Sequence, residues 1–89
     1  MDRLKIVQSI KVGKNVSDIM KLDCVRSCRK IVVSDDVLYG YRLYPLSMAH
    51  PAPYVEAVTG DWLCQQADGK WDILSENEYK RRNEVQDQN

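Results

Sequence analysis

The chain has 89 residues, 44% of them hydrophobic and 29% charged, and its 13 basic and 13 acidic side chains leave a formal net charge of +0. That length holds one small domain and excludes a second. A balanced charge excludes wholesale electrostatic capture of nucleic acid or membrane.

From Leu4 to Val12 the apolar residues Leu4, Ile6, Val7, Ile10 and Val12 come close to the alternation of a half-buried strand, with β-branched types dominating. Gly13-Lys14-Asn15 breaks that strand, and Asn15 is placed to cap a helix whose Val16, Ile19 and Met20 recur at helical spacing. The helix is expected to end between Asp23 and Cys28. Ile31-Val32-Val33 then reads as a short strand, stopped at Ser34-Asp35-Asp36, and the tyrosine-rich run Leu38 to Leu46 reads as its hairpin partner despite Gly40. Pro45, Pro51 and Pro53 bracket Leu46-Ser47-Met48-Ala49-His50, which cannot sit in a paired ladder and is expected to be a long loop. Tyr54 to Val58 resumes strand character before a turn at Thr59-Gly60-Asp61.

The last third is the most legible. Asp61 to Gln66 and Lys70 to Leu74 are strand-like runs joined at Asp68-Gly69, a dipeptide suited to a type I′ turn. A two-residue loop would set Gln66 opposite Trp71 and Cys64 opposite Ile73, with Trp62, Cys64, Trp71 and Ile73 on one face and Leu63 and Leu74 on the other. Ser75-Glu76-Asn77-Glu78 fits a capping box and starts a short final helix, with Leu74 and Tyr79 as its hydrophobic staple. The expected architecture is α+β: a small, mainly antiparallel sheet of about five to six strands, one packing helix and a short C-terminal helix. Residues 1–82 form the single domain and 83–89 a polar tail. The expected core is Ile6, Ile10, Ile19, Met20, Val32, Trp62, Trp71, Ile73 and Tyr79.

Residues 1–34 carry eight bases against three acids, and residues 35–89 five against ten. Opposed surfaces that attract within the fold account for this more simply than a basic binding face. The N-terminus lacks the apolar core of a signal peptide, and the odd set Cys24, Cys28 and Cys64 does not suit a secreted disulfide framework. Both features point to the cytoplasm.

Cys24, Cys28, His50 and Cys64 match a zinc site in number and type, but only the first two are close in sequence, and buried free thiols explain the cysteines as well. No cofactor is expected. A catalytic dyad has one histidine to draw on and no carboxylate placed to orient it, so no enzyme is expected.

Gly60-Asp61-Trp62-Leu63-Cys64, then Asp68-Gly69-Lys70-Trp71, then Ser75 through Tyr79 resemble a widespread set of small uncharacterised proteins of bacteriophages and mobile elements. Those proteins carry a Gly-Asp-Trp strand, a glycine hairpin and a closing short helix. The usual proline before the Gly-Asp pair is Thr59 here, and only the last third matches at residue level. The resemblance implies a prophage or conjugative-element setting and carries over no catalytic residue.

The expected function is therefore a non-enzymatic protein-binding module of phage or mobile-element origin that contacts a host or element protein. Its candidate surface is the proline-flanked loop with Tyr44, Leu46, Met48 and His50, since exposed apolar loop residues serve interfaces. The alternatives are a nucleic-acid binder using Arg26 and Arg29 among the bases of residues 21–30, or a zinc-supported domain. No membrane contact is expected, and a homo-oligomer built through an exposed strand edge is compatible with this reading.

Overall fold

The computed structural model describes residues 5–87, so the expected strand residue Leu4 and the tail residues Gln88 and Asn89 lie outside it. Six strands and two helices follow in the order β1 (Ile6–Lys11), α1 (Val16–Met20), β2 (Val25–Val33), β3 (Asp36–Leu43), β4 (Glu56–Val58), β5 (Trp62–Gln66), β6 (Trp71–Leu74) and α2 (Glu76–Asp87), with a single 3-10 turn at Pro45–Ser47. The fold class is α+β. The six strands do not share one sheet: they form two antiparallel three-stranded sheets, ordered β1-β5-β6 and β2-β3-β4. α2 continues to Asp87, past the expected start of the tail.

α1 is shorter than its apolar spacing suggests. It stops at Met20, and the chain turns through Leu22, whose amide donates to the Ile19 carbonyl at 3.0 Å. A five-residue helix gains little from propagation, whereas Val25 to Val33 pairs along β3 almost without interruption, from Val25↔Leu43 to Val33↔Asp36. Pairing wins, so Cys24 and Cys28 lie at and within a strand instead of on one side of a helix.

The β5–β6 hairpin forms where expected, but one residue out of the expected register. Gln65 faces Trp71, Cys64 faces Asp72 and Leu63 faces Ile73. The Gln66 amide donates to the Lys70 carbonyl at 2.8 Å and the Gly69 amide to the Gln66 carbonyl at 2.9 Å, enclosing the three-residue loop Ala67-Asp68-Gly69. Gly69 alone takes positive φ, at 89°, and the Asp68 Oδ1 accepts from the Lys70 amide at 2.9 Å. This is a type I turn closed by a left-handed glycine, the other hairpin solution that an Asp-Gly pair permits.

The slip places Trp62 with Cys64 and Leu74 on one face, and Leu63 with Trp71 and Ile73 on the other. Both faces are covered. On the first, Trp62 stacks on Tyr79 of α2 with ring centroids 3.8 Å apart, and the Trp62 Nε1 donates to the Glu76 carboxylate at 2.9 Å. That bond and the ion pair with Lys11 hold the Glu76 carboxyl below its ordinary range. The capping box is present: the Glu78 amide donates to the Ser75 hydroxyl at 3.2 Å and the Ser75 amide to the Glu78 carboxylate at 3.1 Å.

The second face packs against the β2-β3-β4 sheet. Tyr41, Leu43 and Ala57 from that sheet meet Leu63, Trp71, Val12, Ile19 and Cys24, all buried. Of the expected core, Ile19 and Trp71 are buried and Ile10 and Ile73 pack partly against it. Met20 is 40% exposed because it lies about 100° around a short helix from buried Ile19, and Val32 is 67% exposed near the free end of the β2–β3 hairpin.

Candidate functional site

The proline-bracketed segment is ordered by backbone hydrogen bonds at both ends. The Tyr44 amide donates to the Cys24 carbonyl at 2.9 Å, and Pro45 opens a 3-10 turn closed by the Ser47 amide on the Tyr44 carbonyl at 3.0 Å and the Met48 amide on the Pro45 carbonyl at 3.1 Å. Pro45 is suited to that position because its φ is preset and its missing N–H would have no partner there. The Lys70 Nζ then donates to the Leu46 carbonyl at 2.8 Å. Beyond the turn, Met48 bridges in parallel to Trp71, and the Ala49 amide donates to the Trp71 carbonyl at 2.7 Å. The segment thereby covers the outer edge of β6.

This anchoring sorts the expected site residues. Tyr44 is 47% exposed and Leu46 82% exposed, held out from the surface by a rigid turn. Met48 is buried at 4%, so it does not belong to an exposed loop surface: its side chain joins the core because the backbone pairs with β6. His50 is exposed beyond that pairing. Beneath Leu46 lies a cleft of about 500 Å³, bordered by Leu22, Asp23, Gln65, Lys70 and Trp71. Lys70 and Trp71 are not among the site residues expected from sequence, which places Trp71 in the core, although their place after the Asp-Gly turn opposite a proline-rich loop is the signal that could have found them. An apolar side chain at the lip of a cleft is suited to a partner: fully burying a leucine is worth about 1.5–3 kcal/mol, and a fixed backbone lowers the ordering cost.

The basic residues divide differently. Arg26 is exposed, whereas Arg29 is held by a two-point ion pair, Nε to the Glu56 Oε2 at 2.7 Å and Nη2 to the Oε1 at 2.9 Å. Hydrogen bonding from Arg29 holds the Glu56 carboxyl below its ordinary range. Arg42 lies over the Tyr54 ring at 4.7 Å. The cations of this sheet are thus partly engaged within the fold.

Cys24 and Cys64 are fully buried and Cys28 half-buried, and none forms a disulfide. Burial pushes the Cys24 and Cys64 thiols up to about 11. A thiolate is the metal ligand, and among the described residues no group of three or more metal-holding side chains comes together. Alkylation of the folded protein at pH 8 is expected to modify Cys28 and to spare Cys24 and Cys64 until denaturant is added. Labelling of either buried thiol at the rate of Cys28, read by peptide mass spectrometry, would contradict their placement.

The family model for herpesvirus glycoprotein L matches residues 5–58, from β1 through β4, a span that holds Tyr44, Leu46, Met48, His50, Arg26 and Arg29. The chain belongs to the herpesvirus glycoprotein L family. Neither the curated proteins nor the solved structures searched give a match. Membership overturns the expected phage or mobile-element origin and, with it, the function read from that setting, its nucleic-acid and zinc alternatives included. It also overturns the cytoplasmic location, since glycoprotein L is a viral envelope glycoprotein.

Packing accounts for the buried free thiols of Cys24 and Cys64 whatever the redox compartment, so they do not bear on location. The Gly60-Asp61-Trp62 motif lies just beyond the matched span. A protein partner is in keeping with the glycoprotein L family. No helix among the described residues is long and apolar enough to cross a membrane.

Proposed function

We propose that this glycoprotein L family chain is a non-catalytic subunit that acts by binding glycoprotein H, the partner of that family, and that it presents the Tyr44–Leu46 lip and the cleft beneath it to that partner. The observation that carries the reading is Leu46, 82% exposed inside the family-matched span. The turn that presents it is fixed by the Lys70 and Pro45 contacts, so binding would not have to order it. The side chains that move least between free and bound states lose least entropy on association.

Leu46→Asp tests the assignment. The side chain is already exposed, so folding stability should change by no more than about 0.5 kcal/mol, while affinity for the glycoprotein H ectodomain should fall at least tenfold. Unchanged affinity with a folded variant would remove the lip from the interface.

A further inference from the structure

Two sheets have four edges, and among the described residues three of them are blunted. The Met48–Ala49 segment covers β6, β4 is three residues long, and the β1 ladder is interrupted between Ile6 and Gln8. β2 differs. It pairs with β3 alone, and from Ser27 to Val33 that ladder is regular. The Leu43 amide donates to the Val55 carbonyl and the Thr59 amide to the Tyr39 carbonyl, both at 3.0 Å, so the odd-numbered residues of β3 bond towards β4, and Leu38 and Gly40 bond towards β2. Ile31 and Arg29 stand opposite those two. The backbone groups of Cys28, Lys30 and Val32 therefore point out of the open edge. Beside them, Val32 is 67% exposed and Val33 51%.

We propose that β2 pairs with β2 of a second copy of this chain, antiparallel about a two-fold axis at Ile31. Charge chooses the occupant. The strand carries Arg26, Arg29 and Lys30 and runs into the acidic turn at Asp35-Asp36, all of them exposed. Antiparallel pairing lays the basic part of each copy beside the acidic turn of the other. Charge also chooses the register. A lysine on an open edge ordinarily repels another strand, and an axis at Arg29 or Lys30 would set that cation directly against itself, which destabilises. An axis at Ile31 instead sets Ile31 against Ile31, Arg29 against Val33 and Lys30 against Val32. In that register the outward backbone groups of Lys30 and Val32 meet those of Val32 and Lys30 in the second copy, and the two Ile31-Val32-Val33 runs cover each other. The interface is isologous and joins two three-stranded sheets into one of six. Cys24, whose carbonyl anchors Tyr44, lies roughly 23 Å along the chain from Ile31. Pairing therefore leaves both Leu46 lips open, one for each glycoprotein H.

Sedimentation velocity of the full chain, in reductant and without glycoprotein H, tests this. A monomer that converts to dimer as concentration rises is the expected result. Val32 reports the register, because so exposed a side chain is replaceable without loss of the fold. Val32→Lys meets Lys30 of the second copy with like charge and should weaken the dimer. Val32→Glu meets the same lysine with opposite charge and should strengthen it, the two dissociation constants differing by about tenfold because the pair occurs twice. A parent chain that stays monomeric up to millimolar concentration would overturn the proposal, whatever the variants do. A dimer indifferent to the sign of the charge at position 32, with both variants folded by circular dichroism, would overturn it equally.

Discussion

Tyr41→Ala is expected to cost about 3–5 kcal/mol of folding stability, a large share of the roughly 5–15 kcal/mol typical of a whole domain. Tyr41 is among the largest fully buried side chains and sits on β3, the central strand of its sheet, between Cys28 on β2 and Ala57 on β4. Its ring fills the space between the sheets, and its hydroxyl donates to the Gly13 carbonyl at 2.7 Å. That bond fastens the turn after β1, and so the first sheet, to the second. Burial raises the Tyr41 hydroxyl to about 12, so it keeps its proton for this bond across the ordinary pH range.

Tyr41→Phe separates the two contributions. It keeps the ring and orphans one carbonyl, for a loss of about 1–2 kcal/mol. Both values are read from urea unfolding. A phenylalanine variant as stable as the parent would mean that the inter-sheet bond contributes nothing.

Gly40→Ala is expected to destabilise by about 1–2 kcal/mol even though alanine in place of glycine within a strand ordinarily helps by about 0.5–1 kcal/mol. A Cβ at position 40 would stand 2.5 Å from the Glu56 Oε2, 2.9 Å from its Cδ and 3.2 Å from the Ile31 Cδ1. Arg29 on β2 reaches Glu56 on β4 across β3, and the bare glycine is the gap that lets it. Glu56 is a flexible side chain, but only 11% exposed and gripped at both oxygens, so moving it breaks the pair. In a Glu56→Ala background the added methyl has room, and the cost of Gly40→Ala should fall by more than half in a double-mutant cycle.

The pH dependence has a definite sign. The folded Glu56 carboxyl is depressed below its ordinary 4.5, so its contribution is complete above that value and is lost as pH falls through the lower folded value. Gly40→Ala should flatten that acid limb. An unchanged acid limb with full stability would contradict the clasp.

Local chemistry made much of this fold readable. The Ser75–Glu78 capping box, the turn at Ser34-Asp35 and the Asp68-Gly69 hairpin are each specified by residues adjacent in sequence. The failures share a different origin. Asp-Gly permits two turn geometries, and the choice between them, with the one-residue register that follows, depends on which faces α2 and the other sheet cover.

The division of six strands into two sheets depends on pairings between β1 and β5 that no local pattern announces. The site was half legible for the same reason. Prolines identify the segment after Tyr44 as a loop, but only its pairing with β6 decides that Met48 turns inward while Leu46 stays out. The family was not legible: its matched residues, 5–58, exclude the Gly-Asp-Trp motif, and the free thiols of Cys24 and Cys64 are core side chains that packing accounts for without a reducing compartment.

Direct binding of the full, untagged chain to a herpesvirus glycoprotein H ectodomain, followed by calorimetry with the mass of the complex read in parallel, addresses the central claim. A saturable one-to-one complex, weakened at least tenfold by Leu46→Asp, is the predicted result. A folded chain that shows no saturable heat and elutes apart from glycoprotein H would contradict it.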